Sequence, residues 1–234
     1  MTETRDTILA VINAIRRKGL SGFRGAQCVM LTGSANAGLL PDSDLDLLVV
    51  SDDNRWLRSV KIRGGVHLDL FVHGQERLLN ELETGTLDSL IVMYSRATHL
   101  YGDEALSLKL VETAKVRLAA GRPLSRNEQL ELLETTQAIA RKAKRETDPA
   151  RRQFLVGMLG THLIRAAVNF RGGWLPEPSR VLDVLAGLDE PCHRCFIQMF
   201  ENATNDAIEL AMSSCLRLRA PELNQMRVAT ERDG

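Results

Sequence analysis

At 234 residues, with 44% apolar and 26% charged side chains, the chain has the composition of an ordinary globular protein. It is long enough for one large domain or two small ones. Thirty acidic residues balance thirty basic ones, which argues against a dedicated nucleic-acid binder, since such proteins carry a basic excess or stripe. No apolar run approaches the roughly 20 residues that span a bilayer, so no membrane role is expected.

The opening "MTETRDTILAVINAIRRKGL" lacks the basic-then-apolar order of a signal peptide. Ile8, Leu9, Ile12 and Ile15 recur at helical spacing ahead of Arg16, Arg17 and Lys18, cations that suit a helix C-terminus. A cytoplasmic amphipathic helix is expected here. "AQCVMLTG" and "LDLLVV" are short, β-branched-rich runs bounded by turn residues and read as strands. "RSVKIRGGVHLDLFVH" reads as a hairpin closed at Gly64-Gly65, and "ATHLYG" as a further strand. Between them, "GQERLLNELETGTLDSLIVMYSR" is helical in period, with a break near Thr84-Gly85.

From Asp103 onward the strands vanish. "DEALSLKLVETAKVRLAAG" predicts a helix stopped by Gly121-Arg122-Pro123. A longer one follows, with Ser125 and Glu128 spaced as a capping box. "ARRQFLVGMLGTHLIRAAVNFRGG" and "PCHRCFIQMFENATNDAIELAMSSCLRLR" each predict one long helix, with a short helix near "SRVLDVLAG" between them. Trp174 is expected to plug a join between helices. The pattern is α+β overall: residues 1–104 as a mixed sheet with helices, 105–220 as an all-α helical bundle, and 221–234 as a polar tail.

Cysteines 28, 192, 195 and 215 are expected to be reduced thiols. Cys192 and Cys195 have the spacing of half a zinc site, but nothing completes it. The chemistry points elsewhere, to "GSANAGLLPDSDLDLL". Alternate strand residues share a face, so Asp44 and Asp46 point the same way. A third acid, Asp69, sits in the apolar strand "VHLDLFV" and can join them if the two strands are neighbours. Carboxylates so close need a counter-charge, and hard oxygen ligands favour magnesium or manganese. Gly33 and Ser34, at a strand end, fit a phosphate-binding turn. His67 and His73 share the strand face of Asp69 and read as polar-face residues.

Gly-Ser, a short loop, Asp-x-Asp and a later strand acid together resemble the polymerase-beta-type nucleotidyltransferase superfamily over residues 27–102. The wording is most similar to its small bacterial branch, which includes aminoglycoside, lincosamide and minimal nucleotidyltransferases. The resemblance implies a catalytic first half, in which Asp44 and Asp46 hold two Mg2+ ions, with Mn2+ as the alternative. Asp69 would be the third ligand or the base. Gly33 and Ser34 would hold the phosphates of ATP or another nucleoside triphosphate, with Ser43 supporting the loop. Lys142 or Lys144 would reach the triphosphate from the helical half, as second-domain lysines do in similar enzymes. The implied reaction is transfer of a nucleoside monophosphate, AMP by default, to a hydroxyl of a small molecule such as an aminoglycoside or lincosamide antibiotic. The alternative is an antitoxin-like or regulatory protein that nucleotidylates or binds a protein partner. Such proteins often dimerise, so a homodimer is among the implied partners; RNA tailing is disfavoured by the zero net charge.

Overall fold

The computed structural model describes residues 2–20, 25–37 and 44–216. Ser43 and the tail from Pro221 lie outside the described residues, as does most of the loop before Asp44. The chain forms two compact units, Met1–Ala120 and Gly121–Gly234. The helix Glu104–Ala120, expected to open the second domain, packs instead on the helices and strands of the first. Leu110, Val111 and Ala114 form its buried stripe there, and the boundary therefore falls one helix later than the composition suggests.

In the first unit, α1 (Thr2–Lys18), β1 (Ala26–Thr32), a five-residue α2 (Gly33–Ala37) and β2 (Leu45–Ser51) are followed by the hairpin of β3 (Trp56–Arg63) and β4 (Val66–Gly74). Then come α3 (Gln75–Thr84), α4 (Asp88–Ser95), β5 (Thr98–Gly102) and α5 (Glu104–Ala120). The five strands lie in the order β3-β4-β2-β1-β5. Among the described strands only β2 and β4 run parallel; the other pairs are antiparallel. The hairpin closes between Arg63 and Val66, and both intervening glycines have positive φ, 57° and 79°. That is the geometry of a two-residue primed turn, which glycine adopts without a Cβ penalty.

Strand alternation sorts the side chains onto two faces. Val29 and Leu31 of β1, Leu45, Leu47 and Val49 of β2, and Leu68, Leu70 and Val72 of β4 form one cluster with Ile8, Val11, Ile12 and Ile15 of α1. Asp46 and Asp69 fall on the opposite face, together with Thr32 and His73. Contacts with α4 are made on that side: Thr32 Oγ1 donates to Met93 O at 3.0 Å, and His73 Nδ1 lies 2.9 Å from Tyr94 Oη.

Among the described residues the second unit contains only helices: α6 (Arg126–Arg145), α7 (Pro149–Phe170), a 3-10 turn at Pro178–Arg180, α8 (Val181–Leu188), α9 (Glu190–Asn202) and α10 (Asn205–Leu216). The Ser125–Glu128 capping box is formed in full. Helix α7 is the central element, burying Val156, Leu159, Leu163, Ala167 and Phe170 against α6, α8, α9 and α10. Trp174 is buried, at 4% exposure. The stretch expected as one long helix from Pro191 is two. Ala203 takes the left-handed conformation (φ 49°), its carbonyl accepts from Arg152 Nε at 2.6 Å, and Thr204 Oγ1 accepts from Ala207 N at 3.2 Å. The break thus has a cap on each side although it contains neither glycine nor proline, and α10 folds back onto α9.

A candidate acidic active site on the central strands

The site is built on the two parallel strands at the centre of the sheet. In the β2–β4 register Asp46 stands directly opposite Asp69, and because side chains at matched positions share a face, the two carboxylates are neighbours. On the other side of β2, Thr32 is the partner of Asp46. The strand ends at Gly33, whose φ is 72°. A Cβ added there would lie 2.8 Å from Asp46 Cγ and would overlap its Oδ2 outright. Glycine is therefore required twice at this position, for its backbone conformation and for the room it leaves to a carboxylate. Ser34 is exposed at the first turn of α2, and Asn36 fixes that turn to the sheet by donating to Arg96 O at 2.6 Å and accepting from Thr98 Oγ1 at 2.9 Å.

A residue that sequence reasoning missed dominates the electrostatics. Arg58 on β3 grips Asp69: its Nε donates to Oδ1 at 2.9 Å and to Oδ2 at 3.0 Å, and its Nη2 also pairs with Oδ2. The guanidinium lies over the Phe71 ring, 5.2 Å from its centroid. These hydrogen bonds to Asp69, and then the charges of Asp69 and Asp46, hold the Arg58 cation even more firmly protonated than usual. The counter-charge that neighbouring carboxylates require is thus supplied within the unit. Asp69's side chain is only 13% exposed, whereas that of Arg58 is 65% exposed.

Asp44 is exposed, one residue before β2 begins. Among the described residues no group of three or more histidine, cysteine, aspartate or glutamate side chains is arranged to hold a metal ion. The structure therefore brings two of the three expected acids together and leaves Asp44 outside that pair. Asp46 and Asp69 nevertheless offer a hard, anionic oxygen donor set of the kind that Mg2+ or Mn2+ takes. A Cβ at position 33 would take the space that the Asp46 carboxylate occupies.

His73 corrects the expectation of a polar-face residue. It is 7% exposed, stacked at 4.3 Å between centroids on Trp56 and held beside Tyr94 Oη. Burial, and then the charge of Arg77, push its pKa down to about 4, so it is a neutral wall residue. His67 is exposed. In the helical unit, Lys142 is exposed and Lys144 pairs with Glu209. Lys144 and Glu209 line a cleft of about 340 Å³ between α6 and α10, with Gln137, Arg141 and Ser213. Cys192 is buried and its Sγ lies 3.1 Å from that of Cys215, while Cys195 is partly exposed.

No protein-family model matches the chain, and no curated protein matches it. Among solved structures, one that is similar is the nucleotidyltransferase-like protein from Exiguobacterium sibiricum 255-15, with a TM-score of 0.42 and 14% identity, covering 92% of this chain and 73% of that one. No described helix is long and apolar enough to cross a membrane.

Proposed function

We propose that the first unit is the catalytic domain of a metal-dependent nucleotidyltransferase, moving a nucleoside monophosphate from a nucleoside triphosphate to a hydroxyl of a small-molecule acceptor. The observation that carries this reading is the register of Asp46 against Asp69 on adjacent parallel strands, with Gly33 packed against the first of them. Two carboxylates held side by side against the one resident cation of Arg58 keep a net negative charge, which favours a further cation there.

In this reading Asp46 and Asp69 hold the divalent cations, the exposed Asp44 joins them only by turning toward the pair, and Gly33 and Ser34 receive the triphosphate. Two such cations, when bound, sharpen the nucleophile and stabilise the leaving group. The acceptor oxygen forms a new bond to the α-phosphorus, the bond from that phosphorus to the β-phosphate oxygen breaks, and pyrophosphate leaves with the electron pair. Where it does not hold a cation, Asp69 is the candidate base for the acceptor's proton. ATP is the default donor and an aminoglycoside-like or lincosamide-like molecule the first acceptor class to examine, since a helical second unit suits a small-molecule pocket.

The test is transfer of label from α-labelled ATP, with Mg2+ or Mn2+, to a panel of hydroxylated antibiotics and other polyols. A labelled adduct with release of pyrophosphate supports the reading. Absence of transfer to every compound, from every nucleoside triphosphate, removes it.

A further inference from the structure

Both oxygens of Asp69 accept hydrogen bonds from the Arg58 guanidinium. A carboxylate used in that way has its best lone-pair directions occupied. A cation approaching Asp69 therefore meets a resident positive charge that also acts on Asp46. Arg58 can leave: it is on β3, the edge strand of the sheet, and most of its side chain is in solvent. Asp69 cannot follow it, because it stands in the middle of β4 with β2 on one side and β3 on the other.

We propose that Arg58 is the resident counter-ion of Asp69, which a divalent cation must displace, and that this competition sets the cation affinity of the acidic site. The inference rests on the reading of Asp46 and Asp69 as cation ligands. The apparent affinity of a site is lowered by the fraction of molecules in which it is competent, so a pair intact about 90% of the time weakens binding about tenfold. A purely structural role has the opposite sign. If Arg58 only held Asp69 in position, its removal would loosen the site and weaken binding.

The probe is free Mn2+, followed by its EPR signal without nucleotide, on the full chain. Arg58→Gln keeps a polar side chain at an exposed edge position, and its far-ultraviolet spectrum should match the parent, with a lower melting temperature because Asp69 loses its counter-charge. The expected result is Mn2+ binding about three- to tenfold tighter than in the parent, with Arg58→Lys in between, because lysine keeps the charge and loses the bidentate grip. Asp69→Asn added to Arg58→Gln should abolish the gain. Equal or weaker binding by Arg58→Gln overturns the proposal. The underlying reading fails separately: if Asp46→Asn in the parent leaves Mn2+ binding unchanged, the acids are not the ligands. If neither the parent nor Arg58→Gln binds Mn2+, both are overturned.

Discussion

The carboxylate of Asp46 rests against the backbone of Gly33, where a Cβ would stand 2.8 Å from Asp46 Cγ. Position 33 thus couples a turn conformation to the placement of an acid. Gly33→Ala meets both a φ of 72° and this overlap. It should lower stability by about 1–3 kcal/mol and cost roughly 10- to 100-fold in activity or metal affinity, as loss of support around a metal ligand does. Urea unfolding and Mn2+ titration of the variant measure the two effects. Ser34→Ala, at an exposed neighbouring position, should leave stability unchanged.

Much of this site is legible in the sequence, because strand alternation and the turn residues are local. The runs around Asp46 and Asp69 are apolar at every second position, and Gly64-Gly65 announces the hairpin, so the acids can be assigned to one sheet. Arg58 escaped because its role depends on register. Yet the signal was present: counting outward from the two-residue turn pairs Arg58 with Phe71, two positions from Asp69, which is a diagonal reach for a long side chain. His73 was misread because parity gives the face and not the depth, and the tilted stack with Trp56 is a tertiary event. The break at Ala203 was hidden because a left-handed alanine leaves no mark in composition. Its neighbours Asn202 and Thr204 were the only hint, as residues that cap helices.

His73 should make stability depend on pH. Its pKa is about 4 in the folded chain and near 6.5 when unfolded. Between those values the unfolded chain binds more protons, so stability is complete above about pH 6.5 and falls as the pH drops toward 4. The contribution is at most about 3 kcal/mol. Urea midpoints at pH 7 and pH 4.5 should converge in His73→Gln relative to the parent. An identical pH dependence in both proteins would show that His73 is not the titrating group.

Arg171 should be a sensitive polar residue of the helical unit. Its side chain is 5% exposed, donates to Asp189 Oδ2 at 2.6 Å and to the carbonyls of Ala167, Ser214 and Cys215, and so ties the end of α7 to α9 and α10. Asp189 is also the N-cap of α9, accepting from Cys192 N at 2.9 Å. Arg171→Met removes the shared donor from those acceptors and should destabilise the unit by about 2–4 kcal/mol, below the full cost of a buried pair because Asp189 is 30% exposed. Thermal unfolding of the variant reads this directly. Arg171→Lys should recover only part of the loss, since an ammonium cannot span the same acceptors.

Asp46 and Asp69 are proposed to form a cation-dependent nucleotide site. Calorimetric titration with a non-hydrolysable ATP analogue, with Mg2+ and with EDTA, tests it on the parent and on Asp46→Asn. The account predicts binding by the parent that requires Mg2+ and is weakened at least about tenfold in Asp46→Asn, with the fold unchanged. Equal affinity in both proteins, or binding indifferent to EDTA, would contradict it.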